Sequence, residues 1–90
     1  DQVANFGLGS VYHDLKRYEE ALPPLQTVVK EYKDYSAAYV LLGKTMEKLS
    51  RQDEAIQTYR EGIAVASKKG DLMPLKEMQQ KLNQLLHSNP

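Results

Sequence analysis

The chain has no cysteine. That excludes a disulfide framework, a thiolate nucleophile and any zinc-finger spacing, and it fits a reducing compartment such as the cytoplasm. An excess of charge is also missing. Twelve basic residues cancel twelve acidic ones, neither sign gathers into a long run, and so no net field draws the chain to nucleic acid or to an anionic membrane. No apolar stretch approaches the roughly 20 residues that a membrane span needs. The N-terminus carries neither the basic nor the apolar region of a secretory signal, and the chain reads as soluble. It opens on Asp1 rather than methionine, as a segment of a longer protein would.

What is present is 41% hydrophobic and 27% charged, the composition of a globular chain rich in helix formers. Ninety residues suffice for one domain, 1–90, that buries roughly 60 to 70% of the unfolded surface. The chain also repeats itself. Leu8-Gly9 returns as Leu42-Gly43, 34 residues on, and Ala21 returns as Ala55, each alanine twelve positions after its glycine. Such a period means stacked supersecondary units, each burying its apolar face only against a neighbour.

Helical stripes fill the two units. Val3, Phe6, Leu8, Val11, Tyr12 and Leu15 are apolar on more than one face, which predicts a first A helix contacted from two sides. After a break at Lys16-Arg17, the stripe Tyr18, Ala21, Leu22, Leu25, Val28, Val29 and Tyr32 predicts a first B helix, in which Pro23 and Pro24 impose a kink or a late start. Ser36 reads as the N-cap of a second A helix carrying Tyr39, Leu42, Met46 and Leu49. Asp53 and Glu54 open a second B helix, with Ala55, Ile56, Tyr59, Ile63 and Ala66 inward and Gly70 at its end. Asp71 then caps a fifth helix whose stripe is Leu72, Leu75, Met78, Leu82, Leu85 and Leu86, lying over the second unit with a polar outer face. His87-Ser88-Asn89-Pro90 reads as a frayed tail. Glu47 with Arg51, and Glu77 with Lys81, stand four apart as helix-surface ion pairs.

On these residues the chain resembles the tetratricopeptide repeat family. Leu8-Gly9, Tyr12, Ala21 and Leu25 fill the family's slots in the first unit, and Leu42-Gly43, Met46, Ala55 and Tyr59 fill them in the second. Tyr39 takes a tryptophan slot; Asn5 departs from the other, and Lys33 and Ser67 stand where the family has proline. Gly9, Gly43, Ala21 and Ala55 are small because the helices of one repeat cross closely, and Gly62 reads the same way. The resemblance implies an all-α fold, a right-handed α-solenoid of two helix-turn-helix repeats, 2–35 and 36–69, closed by a C-terminal capping helix over 71–87.

It also implies a concave surface lined by the A helices. That surface should show Val3, Phe6, Ser10, His13 and Asp14 from the first, and Ala37, Val40, Lys44, Glu47 and Lys48 from the second, apolar above and charged below. Such a strip suits an amphipathic helix or a peptide with a hydrophobic anchor. Some members clamp a carboxylate with paired lysine and asparagine; the corresponding slots hold Phe6, Ser10 and Leu41, so that clamp is not expected. His13 with Asp14 and Glu47 is the one conceivable metal or acid–base cluster. Adjacent helix residues diverge by about 100 degrees, so a solvated polar rim is the simpler reading. The six tyrosines fall mostly on repeat-core positions and have no basic groove beside them, which argues against base stacking.

The function expected is a non-catalytic protein–protein interaction scaffold, without catalytic residues, metal or cofactor, whose partner is a protein or peptide and neither nucleic acid nor membrane. The alternative is the structural end of a longer solenoid, or a self-association module, in which further repeats or a second copy cover the exposed faces.

Overall fold

The computed structural model describes residues 1–87; Ser88, Asn89 and Pro90 of the expected tail lie outside the described residues, and His87 is the last residue of a helix. Five helices follow one another: α1 (Gln2–Asp14), α2 (Tyr18–Glu31), α3 (Ser36–Lys48), α4 (Gln52–Lys69) and α5 (Leu72–His87). Each packs on the next, and α3 also touches α1 and α5. The odd-numbered helices therefore form one layer and the even-numbered ones the other, an all-α helical-repeat solenoid.

Helix boundaries follow local chemistry. Asp1 Oδ1 accepts from the Ala4 N–H at 2.8 Å and so caps α1. Both repeats then turn in the same way. The Arg17 N–H donates to the Tyr12 carbonyl and the Lys16 N–H to the His13 carbonyl; Arg51 to Met46 and Ser50 to Glu47 repeat the pattern. These are Schellman closures, with Lys16 (φ 61) and Ser50 (φ 59) in the left-handed region that glycine adopts most easily. Gly70 (φ 72) closes α4 likewise, as its position predicts.

Three expectations need correction. α2 starts at Tyr18 and includes both prolines, so there is no late start. Pro23 and Pro24 withhold donors only from the carbonyls of Glu19 and Glu20, exposed residues whose backbone can meet water. Ser36 is the first residue inside α3, not its cap. Tyr35 holds the N-cap position without a side-chain bond, its ring stacked on Phe6 at 5.1 Å, while Ser36 is buried with an unpartnered Oγ among the described residues. On α5, Met78 is buried, and Leu75, Leu82 and Leu85 pack on the core. Leu72 and Leu86 are exposed, because among the described residues the helix is flanked by α3 and α4 alone and its stripe is wider than that contact.

The core runs through both repeats: Ala21, Leu22, Leu25, Tyr39, Leu42, Met46, Ala55, Tyr59, Ala66 and Met78. The small residues are where helices meet. A Cβ on Gly9 would stand 2.5 Å from Leu25 Cγ, one on Gly43 2.5 Å from Tyr59 Cζ, and one on Gly62 2.6 Å from Tyr39 Cβ. Gly7, in the interior of α1, has nothing within 4 Å of that position. Opposite outcomes follow for one substitution type. Gly7→Ala should stabilise the chain by about 1 kcal/mol through helix propensity. Gly43→Ala should cost about 1 to 3 kcal/mol, because the Tyr59 ring is fixed in a full core. Urea unfolding of the two variants measures both, and a neutral Gly43→Ala would refute the close-crossing account.

Candidate functional site

α1, α3 and α5 present their free faces to one side of the molecule, and the surface between them divides into two hollows. Phe6 and Ser10 of α1, Ala37, Val40 and Leu41 of α3, and Met73, Pro74 and Glu77 of α5 line a mainly apolar hollow of about 290 Å³. His13 of α1, Lys44, Glu47 and Lys48 of α3, and Lys81 of α5 line a charged one of about 420 Å³. The first lies toward the N-terminal ends of α3 and α5 and the second toward their C-terminal ends.

Eight of the ten residues expected on this face line one hollow or the other: Phe6, Ser10, Ala37 and Val40 the apolar one, His13, Lys44, Glu47 and Lys48 the charged one. Val3 is 72% exposed and lines neither, one turn before Phe6. Asp14 is likewise exposed and outside both. Met73, Pro74, Glu77 and Lys81 were missed by sequence reasoning, which gave α5 a polar outer face. Their spacing of three to four along one helix was the available signal, but the register of α5 against α3 is a tertiary fact.

The charged hollow is internally braced. Tyr59, fully buried in α4, reaches through the core and donates its hydroxyl proton to Glu47 Oε2 at 2.5 Å. Burial, with Glu47 beside it, pushes the Tyr59 phenol far above its usual range, so it stays a donor. Lys44 Nζ stands 2.5 Å from Glu77 Oε2, tying α3 to α5. Neither of the expected four-residue pairs is what forms. Arg51 makes a forked pair with Glu54, as Arg17 does with Glu20, because the turn before each B helix aims the arginine at that helix's first turn. Glu47 and Glu77 reach across to other helices instead.

His13 is half-buried against the edge of Tyr18, with ring centroids 5.2 Å apart. Its Nδ1 lies 3.0 Å from Thr45 Oγ1, whose own proton goes to the Leu41 carbonyl. Thr45 therefore accepts, Nδ1 carries the hydrogen, and Nε2 is left as the free acceptor. With Nδ1 held by Thr45 and Glu47 held by Tyr59, the pair does not converge on one ion. Among the described residues no group of three or more histidine, aspartate or glutamate side chains could hold a metal.

Burial lowers the His13 pKa, with Lys44 and Lys48 acting in the same sense and Asp14 opposing. The unfolded chain then binds this proton more readily than the folded one. Stability is unaffected above the ordinary imidazole range and falls as pH drops through it. The unfolding midpoint should therefore decrease between about pH 7.5 and about pH 5.5, and decrease less in His13→Gln. An identical pH slope in the variant would assign the effect to other groups.

Two stacked helical hairpins with glycine at each close crossing, and a fifth helix laid over the second, define a helical-repeat protein. The tetratricopeptide repeat pattern matches residues 3–35 and 36–69, and the chain belongs to that family. A TPR repeat-containing protein of Pseudomonas aeruginosa is 38% identical over 76 residues, covering 84% of this chain and 72% of that one. The crystal structure of a tetratricopeptide repeat domain protein from Salinibacter ruber superposes with a TM-score of 0.91 at 30% identity, over 99% of this chain and 100% of that one. The solution structure of a Bordetella parapertussis protein gives 0.87 at 31% identity, over 98% and 76%. Among the described residues no helix is long and apolar enough to cross a membrane.

Proposed function

We propose that the chain is a non-catalytic scaffold that binds a protein segment on the concave face formed by α1, α3 and α5. Tetratricopeptide repeats are in general protein-interaction modules, and that much follows from membership of the family. What supports this particular face is the apolar hollow. Phe6, Ala37, Val40, Leu41 and Met73 surround a preformed concavity, and Met73 is 82% exposed although it lies on a helix that buries Met78. A rigid apolar hollow with polar neighbours is the usual form of a peptide-docking surface. His13, Lys44 and Glu47 would contribute its polar end, and Phe6, Ser10, Ala37 and Val40 its apolar end. Recovery of a partner from source-cell extract, compared between the wild type, Phe6→Ala and Ala37→Glu, tests the assignment. Both variants should lose the partner while retaining their helical circular dichroism. Unchanged recovery in both would remove the face from consideration.

A second reading, continuation of the solenoid or self-association, rests on a different surface. Leu8, Val11 and Leu15 of α1 are 46%, 54% and 60% exposed, whereas their counterparts 34 residues later include Leu42 at 3% and Thr45 at 0%. Leu42 and Thr45 lie on α3, which packs against α1, α2, α4 and α5, whereas among the described residues the α1 stripe stays exposed. Another repeat or a second copy would bury it. If a second copy does so, a sedimentation series will show association with rising concentration, reversed by Leu8→Glu. A chain that stays monomeric throughout excludes the self-associating form.

A further inference from the structure

We propose that the concave face selects a peptide carrying one bulky apolar side chain and, a short distance along, a carboxylate: the apolar group in the Phe6–Val40–Met73 hollow and the carboxylate between Lys48 and Lys81. The inference rests on the concave-face reading above and adds the chemistry of the ligand.

The argument is one of charge accounting across the charged hollow. Its five lining residues are His13, Lys44, Glu47, Lys48 and Lys81. Lys44 is neutralised by Glu77 of α5, and Glu47 is occupied by the Tyr59 hydroxyl. His13 has its Nδ1 engaged with Thr45, and burial disfavours its charged form. Lys48 and Lys81 are left, two ammonium groups on facing helices that form no ion pair among the described residues. The Tyr59 hydroxyl that holds Glu47 is neutral and leaves its charge in place, so with Lys44 paired to Glu77 the two unpaired lysines exceed the Glu47 carboxylate by one positive charge, although the chain as a whole carries none. Complementarity then calls for a singly charged anion, a carboxylate seated on the Lys48–Lys81 side away from Glu47, rather than a polyanion.

The apolar hollow fixes where the rest of the ligand goes. Both hollows share α1, α3 and α5, so one ligand can span them. Val40 and Lys48 are eight residues apart on α3, about 12 Å along the axis at 1.5 Å per residue. An extended peptide covers that distance in three to four residues. The recognition element is thus an apolar residue and an Asp, a Glu or a terminal carboxylate separated by three or four positions. Neither Lys48 nor Lys81 falls on the slots of the family's carboxylate clamp, which here hold Phe6, Ser10 and Leu41, so the arrangement belongs to this chain's own residues.

The test uses the full chain and a phage-displayed library of random 12-residue peptides, panned on the wild type, on Ala37→Glu and on the double variant Lys48→Glu/Lys81→Glu, each first shown to be folded by circular dichroism. Wild-type panning should enrich an apolar residue and an acid at the stated spacing. The double variant should bind those peptides at least about tenfold more weakly and should enrich lysine or arginine at the acid's position instead. Synthetic versions of the selected sequences with a free or an amidated C-terminus then separate a terminal carboxylate from a side-chain one. Binders lost on Ala37→Glu but showing no acid preference would overturn this proposal and leave the concave-face reading intact. Binders indifferent to Ala37→Glu, or no binders at all, would overturn both. A 12-nucleotide single-stranded DNA that bound more tightly than the selected peptides would overturn it in favour of phosphate.

Discussion

Everything in this fold depends on how closely two helices of a repeat can approach. In the second repeat the distance is set by the absence of a side chain at Gly43, into whose space the Tyr59 ring projects. Leu25 does the same at Gly9, and Met78 and the Tyr39 stem do it at Gly62, which brings α5 down onto α4. These contacts place aliphatic, aromatic and sulfur-containing side chains against bare backbone. They bury large apolar area over few atoms of helix surface, which offsets the propensity lost at each glycine. The odd-numbered helices are drawn into a single layer as a result, and the hollows between them have their width because the crossings have theirs.

The three Schellman turns are the second constraint. Each reverses the chain within a few residues and aims the following helix, and two of the three do so with a residue other than glycine in the left-handed region. Lys16 and Ser50 are strained in a way that Gly70 is not. The hydrogen bonds of Arg17 and Arg51 hold them there, and the same two arginines fork onto Glu20 and Glu54. Turn and helix start therefore form one unit, copied between the repeats.

The periodic features were legible in the sequence. The 34-residue echo, the small residues at helix crossings and the stripes of α2, α3 and α4 all follow from spacing alone, and most of the residues expected to share a face of the A helices line the hollows between α1, α3 and α5. Features that depend on the relation between helices were not legible. No glycine marks the turns at Lys16 and Ser50, so their geometry had no local signature. Glu77 has Lys81 one turn on and Arg51 stands four residues after Glu47, beyond the turn that ends α3; both carboxylates take more distant partners, Tyr59 from the other layer and Lys44 from the neighbouring helix of the same layer. Met73 and Lys81 reach the hollows through the register of α5, which no pattern within that helix specifies.

The bond from Tyr59 to Glu47 joins the interior to the surface. A carboxylate on the outer face of α3 is oriented by a phenol that is itself sealed in the core by Gly43. Glu47 is therefore not free to change as an exposed residue would be: its replacement strands a buried hydroxyl, and replacement of Tyr59 opens a void. Ala37, Lys48, Met73 and Lys81 carry no such obligation. On the proposed reading of this face, a lineage of these chains acquires new partners by drifting at those four positions while Glu47 stays fixed, and variation across the face is uneven in a pattern dictated from behind it.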